Sequence, residues 1–264
     1  MRLTLSSHLS NFYLLLCLLF FSACVNTKKV AYFNNIQDTE IKTGIMDFEP
    51  LIQKNDILSI SVSSLNPEAS KIFNAPNVTE AEGVDLTGRA MNISGYLVNQ
   101  DGFIQFPFLG NIKAAGLTKK ALQEDIARTL VTKKLLLDPI INIRFLNFRV
   151  TVLGEVANPT VVNVPSEKIT LLEALGLAGD LTIYAKRHNL LLIREEEGKK
   201  TIRRIDLNST ALFTSPYYYL RPNDIVYVEP DKARVASANP VRQWLPLVFS
   251  GLTIVVIGLD RLTR

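Results

Sequence analysis

Residues able to do nucleophilic, acid–base or metal chemistry are few in these 264 residues: two cysteines, two histidines and 25 carboxylates. Cys17 lies inside the apolar run Phe12–Phe21, and Cys24 directly follows the small residues Ser22 and Ala23, as signal cleavage requires. Removing residues 1–23 takes Cys17 and His8 with it, so the mature chain keeps Cys24 and His188. One cysteine excludes a disulfide within the chain and a Cys-ligated metal site. A Ser-His-Asp or Cys-His centre would have to be built on His188 alone. That residue stands in Arg187-His188-Asn189-Leu190-Leu191, which reads as the start of a strand with the histidine at its surface. The carboxylates of Glu195-Glu196-Glu197-Gly198-Lys199-Lys200 read as a charged hairpin turn between strands 189–194 and 201–206, not as an acid–base pair. Gly102, Gly110 and Gly116 are too widely spaced for a phosphate-cradling loop. No catalytic residue, metal site or cofactor is expected.

Cys24 has a different chemistry available. Arg2 is the only charged residue before the apolar run, which is too short for the roughly 20 residues that cross a bilayer and fits a signal h-region. Phe21-Ser22-Ala23-Cys24 resembles the lipobox of bacterial lipoproteins, with Phe21 where that pattern usually carries leucine. The resemblance implies a lipid on Cys24 as the first mature residue; an uncleaved membrane helix is the competing reading. Losing the signal changes the net charge from +4 to +3, too small a bias to imply nucleic acid. Residues 24–47 are polar and without period, and read as a tether with few contacts to lose.

Two small β-rich units follow, an α+β arrangement. The first is expected over residues 48–147. Leu58, Ile60 and Val62 alternate with serines in a half-buried strand. A second strand over 93–98 is expected to turn at Asp101-Gly102 and pair with a third at 103–107. Thr118 caps a helix with Leu122, Ile126 and Leu130 on one face, and Ile141, Ile143 and Phe145 alternate in a further strand. Residues 65–91 are polar and irregular, either a loop or a small helical excursion. The second unit, 148–230, has a strand at 149–156, a turn at 157–160 and a partner at 161–164. Thr170 and Glu173 have capping-box spacing before a short helix that Gly179 ends, and the charged hairpin and a strand at 225–230 close the unit. Lys54-Asn55-Asp56-Ile57-Leu58 is echoed by Pro222-Asn223-Asp224-Ile225-Val226, where Asn-Asp makes a local turn before a strand.

Together, residues 51–62, 95–110, 152–159, 170–182 and 217–230 resemble the polysaccharide biosynthesis/export family, outer-membrane lipoproteins of capsule and exopolysaccharide secretion. Within them Val152-Leu153-Gly154-Glu155-Val156-Ala157-Asn158-Pro159 and Ala174-Leu175-Gly176-Leu177-Ala178-Gly179-Asp180-Leu181 resemble the SLBB module, a β-grasp-like unit. The family implies a homo-oligomeric ring, its bulk in the periplasm, that conducts a polysaccharide to the cell surface without bond chemistry. It also implies an inner-membrane partner, a polysaccharide co-polymerase or tyrosine kinase.

After a linker over 231–243, residues Trp244–Leu259 carry no charge. A transmembrane helix over 244–262 is expected, although sixteen residues at about 1.5 Å rise give only about 24 Å. Trp244, Leu247, Val255 and Leu259 supply its apolar surface, Ser250 and Thr253 a thin polar stripe, and Gly251 and Gly258 room for close helix approach. A lipidated cysteine carrying more than one acyl chain already holds a subunit at the membrane, so the helix is surplus as an anchor and is expected to build the conduit. An anchor helix that lines nothing is the plainer reading. Two other functions fit the same chain: a membrane-anchored glycan-binding lipoprotein without a channel, and a glycan-cleaving enzyme using carboxylates from residues 65–91.

Overall fold

The computed structural model describes residues 31–33, 40, 49–74, 83–84, 90–91, 95–196, 198–237 and 240–262. The signal segment 1–23 and Cys24 lie outside them. The fold is α+β, with one three-stranded and one five-stranded sheet.

The first sheet is built on β1 (Ile57–Ser63), whose alternation is realised as expected: Leu58, Ile60 and Val62 are buried. The chain then enters a helix, α1 (Pro67–Lys71), because Asn66 Oδ1 accepts from the Glu68 and Ala69 amides, and a 3₁₀ turn continues it to Asn74. Residues 65–91 therefore open as a helical excursion. Of their remainder, Gly83–Val84 (β2) and Ala90–Met91 (β3) form a two-residue ladder. The strand expected over 93–98 is shorter, β4 (Tyr96–Leu97), and pairs with β1.

The turn at Asp101-Gly102 closes as expected, with the Asn99 amide donating to the Phe103 carbonyl at 2.9 Å. The ladder does not continue across it. Instead β5 (Phe103–Phe106) pairs with β6 (Gly110–Lys113), a strand the sequence reading missed. Pro107 offers no donor, and Phe108 and Gly110, with φ of 60° and 76°, reverse the chain. β6 buries only Ile112, too little to show alternation.

Thr118 Oγ1 accepts from the Ala121 amide and starts α2 (Lys119–Thr132), whose Leu122, Ile126 and Leu130 are fully buried. It lies against β7 (Ile140–Phe145), and β7 pairs with β1 from Leu58↔Phe145 to Ser63↔Ile140.

The second unit begins at β8 (Arg149–Gly154), which turns into β9 (Thr160–Asn163). The capping box forms as read: Thr170 Oγ1 accepts from the Glu173 amide, and the Glu173 carboxylate accepts from the Thr170 amide at 2.7 Å. The resulting α3 (Leu171–Leu177) buries Leu171, Ala174 and Leu175, and Gly179 leaves it at φ 79°. β10 (Ala185–Glu196) and β11 (Lys199–Ile205) are the charged hairpin, and β12 (Ile225–Pro230) slots between β10 and β8. The order β11-β10-β12-β8-β9, with β12 parallel to β8 and a helix on one face, is the β-grasp-like arrangement the resemblance implied.

Two expectations need correction. The polar stretch after Cys24 is not a free tether throughout, because Tyr32 and Phe33 are partly buried against the second unit. At the other end, α4 (Lys232–Ser237) is followed by α5 (Pro240–Leu262), so the expected helix exists, but its reading as a membrane span is not supported. Among the described residues no helix is long and apolar enough to cross a membrane. The uncharged stretch falls short of the roughly 20 residues needed and contains Pro246.

Candidate functional site

The sequence pointed to two functional elements, Cys24 and the C-terminal helix. Cys24 lies outside the described residues. On α5, Trp244, Leu247, Ser250, Gly251, Thr253, Val255, Gly258 and Leu259 are all exposed. The large apolar side chains stand out most: Leu247, Val248, Phe249, Leu252, Ile254, Val255 and Ile257 are each more than half exposed. A row of that size without cover among the described residues is the signature of an interaction surface.

The thin polar stripe is quieter than expected. Ser250 Oγ donates to the Leu247 carbonyl at 3.2 Å and Thr253 Oγ1 to the Phe249 carbonyl at 2.8 Å, so both hydroxyl protons return to the helix's own backbone. Gly251 and Gly258, seven residues and two turns apart, share a face, and nothing lies within 4 Å of a Cβ built on either. That face is open for another helix to approach closely.

Elsewhere the buried charges hold the fold. Arg194 donates to both carboxylate oxygens of Asp224, Nε at 2.9 Å and Nη2 at 2.7 Å, and both residues are buried. The pair joins β10 to the turn that leads into β12, and Arg194 Nη2 also reaches the Tyr219 carbonyl. Asp56 is equally buried, but among the described residues its carboxylate accepts only the Gln53 amide, at 2.7 Å. Burial pushes its pKa up to about 6, against the pull of that one hydrogen bond. A raised carboxylate is what a general acid requires, yet cleavage of a glycosidic bond needs a second carboxylate facing it across the sugar. Among the described residues no second carboxylate acts on Asp56, which sits in the turn before β1. The carboxylate source named for the enzyme reading, residues 65–91, shows only the exposed Glu68 among its described acids, and it is salt-bridged to Lys71. His188 is an exposed residue of β10.

A groove of about 430 Å³ runs between β9 and α3, with Val164, Lys168, Glu173 and Leu177 on its walls. Glu173 is committed to the capping box and Lys168 stands over the Tyr219 ring at 4.5 Å, so both charged groups on its walls are already engaged. No group of three or more His, Cys, Asp or Glu among the described residues could hold a metal ion. The sequence reading missed Arg194 as the partner of Asp224 and missed the Tyr32–Phe33 contact. The repeated Asn-Asp turn was a visible signal for the position of Asp224 but not for its cation; the Tyr32–Phe33 contact had no signal.

Residues 47–146 match the family model described as "Polysaccharide biosynthesis/export protein", and residues 148–228 match the SLBB domain. The chain belongs to the polysaccharide biosynthesis/export family and carries an SLBB domain behind the export domain. It is 30% identical over 184 residues to the EPS I polysaccharide export outer membrane protein EpsA of Ralstonia solanacearum, an alignment covering 68% of this chain and 47% of that protein. The EpsA of Ralstonia nicotianae is 35% identical over 148 residues, 51% of this chain and 38% of its own length. The capsule polysaccharide export protein BexD of Haemophilus influenzae is 30% identical over 82 residues, 31% of this chain and 20% of its own. The chain thus spans less than half the length of these relatives.

Proposed function

We propose that this chain is a subunit of an outer-membrane polysaccharide export channel: a homo-oligomeric ring, lipid-anchored at Cys24 with its bulk in the periplasm, that conducts capsular or exopolysaccharide to the cell surface. The observation that carries the reading is the order of an export domain, an SLBB domain and a terminal helix whose large apolar side chains are exposed. Such a helix needs cover, and identical helices side by side supply it, with Gly251 and Gly258 on the approach face. Passing many polymers through a wide wet conduit requires no tight pocket and no bond chemistry, in keeping with a groove whose charged groups are already engaged. An inner-membrane co-polymerase or tyrosine kinase hands the polymer on.

The test is purification from outer membranes in mild detergent, with the particle's mass and image as readout. A high-mass ring is expected, and a chain ending before Arg242 should be processed normally yet fail to assemble and export. Monomers in mild detergent, together with export unimpaired by the truncation, would overturn the reading.

A further inference from the structure

A sheet that packs one face on a core usually turns polar side chains outward on the other. The five-stranded sheet of the second domain departs from that rule. Its inner face, with Val150, Val162, Leu192 and Val226, is buried on the side where α3 packs. Its outer face carries a second apolar row: Val161, Thr151, Ile225, Ile193 and Ile202 stand opposite one another in register across β9, β8, β12, β10 and β11. In the next row Leu153, Tyr227 and Leu191 share that face. Ile202 is 61% exposed, Leu153 42% and Val161 41%, so among the described residues the row is open toward both edges of the sheet. The charges lie beside the row, in the pairs Lys200–Glu195 and Arg204–Glu229. Lys199, Lys200, Arg203 and Arg204 guard the β11 edge against addition of a further strand, which leaves the face as the surface a partner can meet.

We propose that this face is a contact between copies of the chain, in which the sheet of one second domain, at Ile202, seats against the groove between β9 and α3 of the next copy. The inference rests on the ring reading above. A closed ring needs two different, complementary surfaces on each subunit, because a patch that meets itself closes at a dimer. The second domain supplies both. The open row lies on the face away from α3, and its most exposed residue is on β11, at one end of the strand order. The groove, with Val164, Pro165 and Leu177 on its walls, lies at β9, the other end. Leu177 is 64% exposed and needs cover as much as Ile202 does.

The size of the face shows that it acts together with a second contact. Four strand spacings of about 4.8 Å across the sheet and the six residues of β12 at about 3.3 Å each give roughly 19 by 20 Å, or about 380 Å². A stable interface takes about 800 Å² from each partner. The remainder falls to α5, which follows β12 in the chain, so that each contact raises the effective concentration of the other.

Crosslinking of the lipidated full chain in mild detergent tests this. Ile202 and Leu177 are exposed, so Ile202→Cys and Leu177→Cys leave the core untouched. With Cys17 removed and Cys24 lipidated, the introduced thiols are the reactive ones. A short bismaleimide should convert the double variant into a ladder of covalent oligomers extending beyond the dimer, and should leave each single variant monomeric on a denaturing gel. Particles of ring mass that give no ladder would overturn the proposal and leave the ring standing. A covalent dimer from Ile202→Cys alone would also overturn it, since the face would then meet itself. Monomers by native mass, with no crosslink, remove the ring reading and this contact with it. Ile202→Lys gives a second readout: the assembled fraction on dilution should fall several-fold while the thermal unfolding midpoint changes little, and undiminished assembly would count against the contact.

Discussion

Asp56 and Asp224 occupy the same turn, one in each domain. Each follows an asparagine at positive φ, 68° at Asn55 and 66° at Asn223, and each accepts a hydrogen bond from the amide three residues back, Gln53 at 2.7 Å and Arg221 at 2.8 Å. Each is 1% exposed and stands directly before a strand. They differ in one respect that decides their chemistry: Asp224 is gripped by Arg194, and Asp56 has no ion pair among the described residues.

For Asp56 the consequence is a pH dependence of stability. Its folded pKa of about 6 is raised above the ordinary 3.8, so folding favours the protonated form. The contribution is most favourable below pH ~4, is lost between pH ~4 and ~6 at up to about 1.4 kcal/mol per pH unit, and stays lost above, a total of about 3 kcal/mol. Asp56→Asn keeps an acceptor for the Gln53 amide and removes the charge. Urea unfolding from pH 4 to 7 should show that slope in the parent and its absence in the variant, which should be the more stable of the two at pH 7.

Arg194→Met leaves the Asp224 carboxylate buried without its cation. A loss of about 3–5 kcal/mol is expected. In an Arg194→Met/Asp224→Leu double variant much of it should return, since removing both charges also removes the stranded one. Thermal unfolding of the two variants side by side checks this; equal losses would mean that the pair's charge is not what holds β10 to β12.

Gly154 has φ 91°, and a Cβ built there would stand 2.1 Å from the Val228 carbonyl oxygen. That carbonyl accepts the Glu155 amide at 2.9 Å, so no side chain can be swung aside to make room. Gly154→Ala should destabilise the second domain by about 3 kcal/mol or more, through both strain and the loss of the parallel β8–β12 contact. Amide exchange in β12 should rise with it.

Glu167 ties the two domains. Its Oε1 accepts the Phe145 amide of β7 at 2.6 Å, and its Oε2 pairs with Lys119 at the start of α2. Glu167→Ala orphans a part-buried amide, at about 1–3 kcal/mol. Glu167→Gln retains an acceptor for it. Exchange of the Phe145 amide should therefore accelerate in the alanine variant and change little in the glutamine variant.

Much of the local structure was legible in the chain itself. Alternation at Leu58, Ile60 and Val62 marked β1, Thr118 marked the start of α2, and Thr170 with Glu173 marked α3. Each depends on residues within four positions of one another, and the physics of a cap or a pleat is complete at that range. Strand partners were harder. The turn at Gly102 was real, yet β5 chose β6, because a two-residue β4 already paired with β1 offers β5 little ladder to join. The shared Asn-Asp turn was equally visible in both copies, but which copy received a cation was not, since Arg194 lies 30 residues before Asp224.

By itself the sequence determined the export-then-SLBB order and the helices' caps, all carried by short spacings. The tertiary structure alone decided that Asp224 is paired while Asp56 is not, that the apolar stretch after Arg242 is an exposed helix without support as a span, and that Tyr32 and Phe33 are packed on the second domain. These depend on contacts between residues tens to more than a hundred positions apart, where only the packing of whole elements settles which side chains meet.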